Sequence, residues 1–281
     1  MVKSFRSKLT GVFGYPVDEN PTIVMQEAAF QAAGLDWRYL TLLVKPEDLP
    51  AAVQGMRAMN FDGINLTIPH KTAIIPLLDE ITESAELIGA VNTVYRDEDK
   101  LIGTNTDGKG FVEGMKQRGI DLKGKHLVIL GAGGAGRAVA VESALAGCSS
   151  ISIINRNADR GQSLRDLLNK KTDCQADFIP WTDGVRIPAC DILINATSVG
   201  LYPDKNYPDI RLDDIKPGMI VQDIIPNPAI TPFLKEAQKR GAVIYDGLAM
   251  LVYQGAIAYK LWTGAEPSIE VMKQALAEAF A

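Results

Sequence analysis

His126-Leu127-Val128-Ile129-Leu130-Gly131-Ala132-Gly133-Gly134-Ala135-Gly136 is the stretch on which the fold turns. The apolar run 127–130 reads as a short buried strand, and the six residues after it fit the pattern G-x-G-x-x-G. In that pattern Gly131 turns the chain tightly out of the strand, and Gly133 lets backbone amides approach a pyrophosphate. Gly136 lets the next helix pack close to the sheet. Residues 137–145 carry Ala, Val and Leu at helical spacing. The loop would therefore open a helix whose positive N-terminal end faces the phosphates. Gly131, Ala132, Gly133, Gly134 and Ala135 are the expected contacts of a dinucleotide.

The following strand, 151–154, lies about one βαβ unit further on and runs into Asn155-Arg156-Asn157-Ala158-Asp159-Arg160. An NAD site places a carboxylate near this point, on the ribose 2′-hydroxyl. Here the strand ends in Asn and Arg instead. Arg156, through its planar fork, and Arg160, one helical turn later, suit a 2′-phosphate that a carboxylate would repel. NADP is the expected cofactor, ahead of NAD.

The rest of the composition narrows the function class. The chain has 281 residues, 47% of them hydrophobic, enough for two domains with proper cores. Its net charge is −5 with no basic run, so the electrostatic footprint of nucleic-acid binding is missing. Cys148, Cys174 and Cys190 are uneven in number and far apart, which suggests neither a disulfide framework nor a zinc ribbon. A cytoplasmic location is expected. Basic residues at the N-terminus are followed by no apolar segment, and no stretch has the length of a membrane span. His70 and His126 are the two histidines, so no metal site is expected. His126, at a strand start, reads as structural.

Before the glycine loop, strands and helices alternate. Strands are expected at 9–13, 37–44 and 61–68, with helices at 20–33, opened by Asn20-Pro21, and at 46–59. Pro69 ends the third strand, which leaves His70-Lys71 just past its C-terminal edge, where open α/β sheets bind ligands. A short helix at 82–88, a hairpin of strands at 90–95 and 101–103, and the polar loop 103–108 follow. Past the loop, strands are expected at 192–194 and 219–224, with helices at 231–240, 248–262 and 266–280. The fold class is α/β: residues 1–107 and 246–281 form a substrate-binding domain, and 108–245 form a doubly wound, Rossmann-type NADP domain. The cleft between them is the default substrate site.

Hydride exchange between a secondary alcohol and a nicotinamide needs a group that moves the hydroxyl proton. Lysine can do this when its surroundings favour the neutral amine, and a nearby carboxylate can hold the ammonium in place. Lys71 and Asp107 are the candidates. Around them stand Asn65-Leu66-Thr67-Ile68-Pro69-His70-Lys71, Gly89-Ala90-Val91-Asn92-Thr93 and Gly103-Thr104-Asn105-Thr106-Asp107-Gly108. With the glycine loop, Asn155-Arg156, Asn195-Ala196-Thr197-Ser198 and the run Asp246 to Gln254, this ordered set resembles the shikimate and quinate dehydrogenase family over nearly the whole chain.

The resemblance implies an NADP-dependent oxidoreductase that converts shikimate to 3-dehydroshikimate and back, with Lys71 catalytic and Asp107 its partner. It implies that Thr67, Asn92 and Gln254 bind substrate hydroxyls, that Asn155, Arg156 and Arg160 clamp the 2′-phosphate, and that Thr197, Ser198, Ile224, Gly247 and Met250 surround the nicotinamide. The expected partner is a small cyclic polyol, and a homodimer is the working expectation for assembly.

Two departures fall on one end of the substrate. The family's Ser-x-Ser-Pro, whose hydroxyls bind the carboxylate, is replaced by a loop two residues shorter. If Pro21 is the anchor, Asp18 and Asn20 stand at the serines. At an effective dielectric of about 20, two like charges about 4 Å apart cost on the order of 4 kcal/mol, more than the roughly 1.5 to 3 kcal/mol of one hydrogen bond to a charged group. Pro226 stands where the family generally has a tyrosine. Quinate, or a cyclic polyol without the carboxylate, is therefore an alternative substrate within the class. A protein that senses NADP or a metabolite without turning it over is the alternative from another class.

Overall fold

A computed structural model describes residues 5–280; Met1 to Ser4, part of the N-terminal stretch read above for a leader, lie outside the described residues, as does Ala281. The chain divides into two compact units, one of residues 1–106 and 252–281, the other of residues 107–251.

In the first unit the order is β1 (Lys8–Gly14), α1 (Thr22–Ala32), β2 (Trp37–Leu43), α2 (Leu49–Ala58), β3 (Gly63–Leu66), α3 (His70–Ala73), β4 (Glu80–Ile81), α4 (Glu83–Ile88), β5 (Thr93–Asp97) and β6 (Lys100–Thr104). The sheet order is β2-β1-β3-β5-β6-β4. β1 pairs with β2 and β3 in parallel, whereas the hairpin β5–β6 enters antiparallel to β3. Leu49, Val53 and Met56 recur at helical spacing on α2 and are all buried against β1, β3 and β5 side chains such as Phe13, Ile64 and Val94. Burial of each is worth about 1.5–3 kcal/mol. The predicted start at Pro46 is a 3₁₀ turn, Pro46–Asp48, before α2 proper. Asn20 does not cap α1 in the expected register. Its Oδ1 accepts the N–H of Thr22, and Pro21 stands immediately before the helix.

The second unit contains α5 (Asp107–Lys116), β7 (His126–Leu130), α6 (Gly134–Leu145), β8 (Ser150–Asn155), α7 (Ala158–Lys171), β9 (Gln175–Pro180), β10 (Ile192–Asn195), β11 (Ile220–Asp223), α8 (Pro232–Lys239), β12 (Val243–Tyr245) and the start of α9 (Leu248–Thr263). α9 runs on into the first unit, which α10 (Ile269–Ala279) completes. All six strands pair in parallel in the order β12-β11-β10-β7-β8-β9. That is the doubly wound Rossmann order, and its strand order reverses between β7 and β10. Ligands of such sheets bind beyond the strand ends at that reversal. β7 and β10 are nearly wholly buried, as their apolar runs predict.

β9 and β12 were not expected. Both are edge strands with no fully buried residue, so neither carries an apolar run to announce it. Cys148 and Cys174, distant in sequence, have Sγ atoms 3.5 Å apart as free thiols. No helix among the described residues is long and apolar enough to cross a membrane.

Candidate active site

In the first unit the sequence motifs converge on one edge of the sheet. β1 and β3 end there side by side, with Phe13 opposite Leu66. β5 begins there, with Thr93 opposite Asn65, and β6 ends there, with Thr104 opposite Thr93. The segments just past these strand ends therefore share one rim: 67–71, 89–92 and 105–106.

A buried hydrogen-bond network fills that rim. Asn92 Oδ1 accepts the Thr106 N–H at 2.7 Å, and its Nδ2 donates to Thr106 Oγ1 at 3.0 Å and toward Gln254 Oε1 at 3.5 Å. Thr93 Oγ1 donates to Asn92 Oδ1 at 3.0 Å. Asn65 Nδ2 donates to Thr93 Oγ1 at 2.9 Å, and Tyr39 donates its phenolic O–H to Asn65 Oδ1 at 2.8 Å. Burial pushes the Tyr39 phenol well above its ordinary range, so it stays protonated and remains a donor. Asn92 and Gln254, from opposite ends of the chain, are thus brought together. Asn65, Thr93 and Thr106 were not singled out as site residues. Their signal is a polar residue within or beside a short buried strand, a costly placement unless every donor and acceptor is met.

Lys71 is half-buried in α3, directly after β3. Its backbone is fixed on both sides: the Lys71 carbonyl accepts the Val91 N–H at 2.7 Å, and the preceding His70, buried, places Nε2 2.7 Å from the Val44 carbonyl. His70 is thereby committed to the backbone. Thr67 is half-buried on the same rim, its N–H donating to the Phe13 carbonyl. Asp107, also half-buried, is the first residue of α5 and of the second unit.

The second unit holds the glycine loop at the reversal of its sheet. Gly131 has φ +102°, the turn a side chain would strain. A Cβ at Gly136 would lie 2.2 Å from the Gly131 carbonyl oxygen, so only glycine lets α6 approach this closely. At Gly133 and Gly134, by contrast, a Cβ would meet nothing within 4 Å. That is open space beside backbone amides, at a helix start with no side-chain cap. Orphan N–H groups at the start of a 12-residue helix, facing open space, are what a pyrophosphate requires. These residues therefore fit a dinucleotide. Asn155 Oδ1 accepts the Ala132 N–H at 3.0 Å, and its Nδ2 donates to the Asn157 carbonyl, which ties the loop to the end of β8. Arg156 and Arg160 are exposed. Asn157 caps α7 by accepting the Arg160 N–H at 2.9 Å. His126 is exposed at the opposite end of β7, with Nδ1 2.7 Å from Ser150 Oγ.

Thr197 lies against the glycine loop: a Cβ added to Gly131 would meet Thr197 Cγ2 at 3.0 Å. Ser198 is exposed one residue on. Ile224 and Gly247 adjoin, because a Cβ at Gly247 would fall 2.2 Å from the Ile224 carbonyl oxygen. Met250 is buried in the following turn of α9. Beneath them Asp223 is wholly buried, and burial pushes its carboxyl up to about 6 against the pull of its hydrogen bonds. The folded state therefore holds that proton more tightly than the unfolded chain. The stabilisation is fully present below pH 3.8 and is lost as pH rises to about 6, a cost of about 3 kcal/mol for charging the group.

The loop carrying Asp18 and Asn20 leaves β1 on the same rim as Lys71, anchored by the Tyr15 N–H on the Ile68 carbonyl at 2.9 Å. Asp18 is exposed and Asn20 half-buried. The Thr22 N–H occupies one lone pair of Asn20 Oδ1, which orients the amide. Pro226 is half-buried after β11. Among the described residues no group of three or more His, Cys, Asp or Glu could hold a metal ion.

Three family models match the chain: a shikimate dehydrogenase substrate-binding domain over residues 12–94, a shikimate/quinate 5-dehydrogenase model over 113–205, and a shikimate 5′-dehydrogenase C-terminal domain over 247–277. The NADP(+)-dependent shikimate dehydrogenase of Desulforamulus reducens is 41% identical over 277 residues, 96% of this chain and 95% of that protein. Among solved structures, the ligand-free 5-ketofructose reductase of Gluconobacter sp. strain CHM43 is 46% identical, with a TM-score of 0.95 over 99% of this chain and 100% of that one. The shikimate 5-dehydrogenase of Listeria monocytogenes, in complex with shikimate and NAD, is 35% identical, with a TM-score of 0.92 over 97% of both chains.

Proposed function

Because the chain belongs to the shikimate dehydrogenase family, we propose that it is an NADP-dependent oxidoreductase that interconverts shikimate and 3-dehydroshikimate. What carries this reading is the buried Asn92–Thr106–Gln254 network on the rim that also bears Lys71, since it supplies fixed polar groups for ring hydroxyls. The amides of the glycine loop would hold the dinucleotide's pyrophosphate, and the bound cofactor would accept the hydride as NADP+ or supply it as NADPH. Lys71 takes the proton from the alcohol oxygen as the carbonyl forms and returns it in the reverse direction, with Asp107 holding the ammonium. Thr67, Asn92 and Gln254 orient the substrate hydroxyls. Asn155, Arg156 and Arg160 hold the 2′-phosphate, and Thr197, Ser198, Ile224, Gly247 and Met250 surround the nicotinamide. The proposal includes a cytoplasmic homodimer. Two free thiols 3.5 Å apart suit a reducing compartment.

The clamp has its own test. Arg156→Ala should raise KM for NADP by about tenfold, the worth of one charge-assisted contact, and leave KM for NAD nearly unchanged. Equal effects on both cofactors would remove Arg156 from the 2′-phosphate.

A second reading keeps this chemistry and changes the substrate to a neutral polyhydroxy ketone, such as 5-ketofructose. Two observations favour it. Asp18 is exposed on the loop that leaves β1 and, if Pro21 anchors the alignment, takes the place of a carboxylate-binding serine of the family; and the 5-ketofructose reductase shares 46% of its residues with this chain, against 41% and 35% for the two shikimate dehydrogenases above. Purified protein should be assayed at 340 nm with NADP and shikimate or quinate, and with NADPH and 5-ketofructose. Strong turnover of shikimate supports the first reading; turnover confined to the neutral ketone supports the second. Asp18→Ser should raise kcat/KM for shikimate by about tenfold or more if Asp18 faces the carboxylate. An unchanged value would place Asp18 toward solvent.

A further inference from the structure

At the C-terminal end of β11, Asp223 is buried, and among the described residues no cation pairs with it. Its Oδ1 and Oδ2 each lie 3.1 Å from Asn195 Nδ2. Oδ1 also accepts the Ile225 N–H at 3.1 Å, and Oδ2 accepts the Thr231 hydroxyl at 2.8 Å. Every group facing the carboxylate is thus a neutral donor: Asn195 from β10, Thr231 before α8, and a backbone amide. A charge buried this way is costly, and an apolar residue of the same size would be cheaper.

What the charge does becomes clear one residue further on. A carboxylate has no proton to give, so the end of the Asn195 amide that faces it must be the NH2. The amide oxygen is then turned the other way, where it accepts both the Thr197 hydroxyl at 2.7 Å and the Thr197 N–H at 3.1 Å. Thr197 Oγ1 in turn accepts the Val199 N–H at 3.1 Å. Asn195 also binds the neighbouring strand end through its backbone, its carbonyl accepting the Ile224 N–H at 3.1 Å. The ends of β10 and β11 are linked in this way, and the link runs on to Thr197, whose methyl lies 3.0 Å from where a Cβ on Gly131 of the glycine loop would stand.

We propose that Asp223 is a positioning residue for the dinucleotide: it fixes the orientation of the Asn195 amide and, through it, the Ala196-Thr197 turn against the glycine loop. Asp223 touches neither cofactor nor substrate. This inference rests on the NADP-binding reading above, and it assigns the setting of that site to a residue outside it.

The test is NADPH binding, followed by the change in NADPH fluorescence on titration with protein and backed by steady-state kinetics. Asp223→Leu should weaken NADPH binding by about tenfold or more and raise KM for NADP by a like factor, with KM for the alcohol substrate unchanged. Asp223→Asn keeps one acceptor oxygen for Asn195 and Ile225, so it should restore most of the affinity. Thr197→Val, which removes the hydroxyl at constant volume, should reproduce the loss, and combining it with Asp223→Leu should add little. A merely structural Asp223 would lower the melting temperature of the Leu variant and leave its NADPH affinity intact, which would overturn the proposal. So would full additivity in the double variant. If Asp223→Leu does not fold, Asp223→Ala, which also removes both acceptor oxygens, takes its place alone and in combination with Thr197→Val. Wild-type protein that fails to bind NADPH would overturn the parent reading and this one with it. Wild-type binding with an unaffected Asp223→Leu overturns this one alone.

Discussion

Replacing Lys71 with alanine is expected to cut turnover by about a hundredfold or more while leaving NADP binding close to its wild-type strength. The expectation is sharp because the substitution leaves the local backbone in place. His70, just before it, is buried against the Val44 carbonyl, and the Lys71 carbonyl accepts the Val91 N–H at 2.7 Å, so neither contact uses the lysine side chain. Asn92, Thr106 and Gln254 also bond to one another directly, through their own side chains and the Thr106 amide. What is lost is the group that moves the proton. The loss should therefore fall on kcat, with KM for NADP little changed, and steady-state kinetics with a thermal melt as folding control would measure it. Unaltered turnover in the alanine variant would refute the assignment of Lys71.

How much of this was legible in the sequence depends on how local each signal is. The glycine loop was legible because its chemistry is contained in six residues: one turn, one open stretch and one close approach. The geometry at Gly131, Gly133 and Gly136 supplies each in turn. The replacement of a carboxylate by Asn155 and Arg156 at the end of β8 is equally local, and on it NADP is preferred over NAD. The strands β7 and β10 carried their own apolar runs, whereas β9 and β12, at opposite edges of the sheet, bury too little to show one.

The unread features join residues far apart in the chain. Asn195 and Asp223 are separated by 28 positions, and neither is unusual alone. Their meaning lies in the parallel register that sets Asn195 beside Asp223 at the ends of β10 and β11. The Cys148–Cys174 proximity was hidden for the same reason, across 26 positions. Asn20 shows a different failure. The dipeptide Asn-Pro marks a helix start one residue early: the helix begins at Thr22 with Pro21 before it, and Asn20 Oδ1 accepts the Thr22 N–H from outside the cap position, which the local pattern does not show.

Gly136→Ala sets two effects of known size against each other, and the structure decides between them. Within a helix, alanine is favoured over glycine by about 1 kcal/mol, so at an ordinary position in α6 the change would stabilise the protein. Here the new methyl would lie 2.2 Å from the Gly131 carbonyl oxygen and 3.3 Å from Ala196 Cβ. The first of these is backbone, which cannot rotate away as a side chain tip can, so α6 must move outward by about an ångström to restore van der Waals distance. Overpacking of this kind costs roughly 1 to 3 kcal/mol, enough to outweigh the gain in propensity. The displacement also moves the first turn of α6, whose amides and positive end are proposed to hold the pyrophosphate. Affinity for NADPH should therefore fall by more than tenfold, together with the melting temperature. In contrast, Gly133→Ala, where a methyl meets nothing within 4 Å, should leave the melting temperature unchanged and weaken NADPH binding only by intruding on the bound dinucleotide. Calorimetry and NADPH titration on the two variants separate these cases. A Gly136→Ala protein that melts higher and binds NADPH normally would show that α6 does not need this approach to the sheet, and would remove the third glycine from the binding argument.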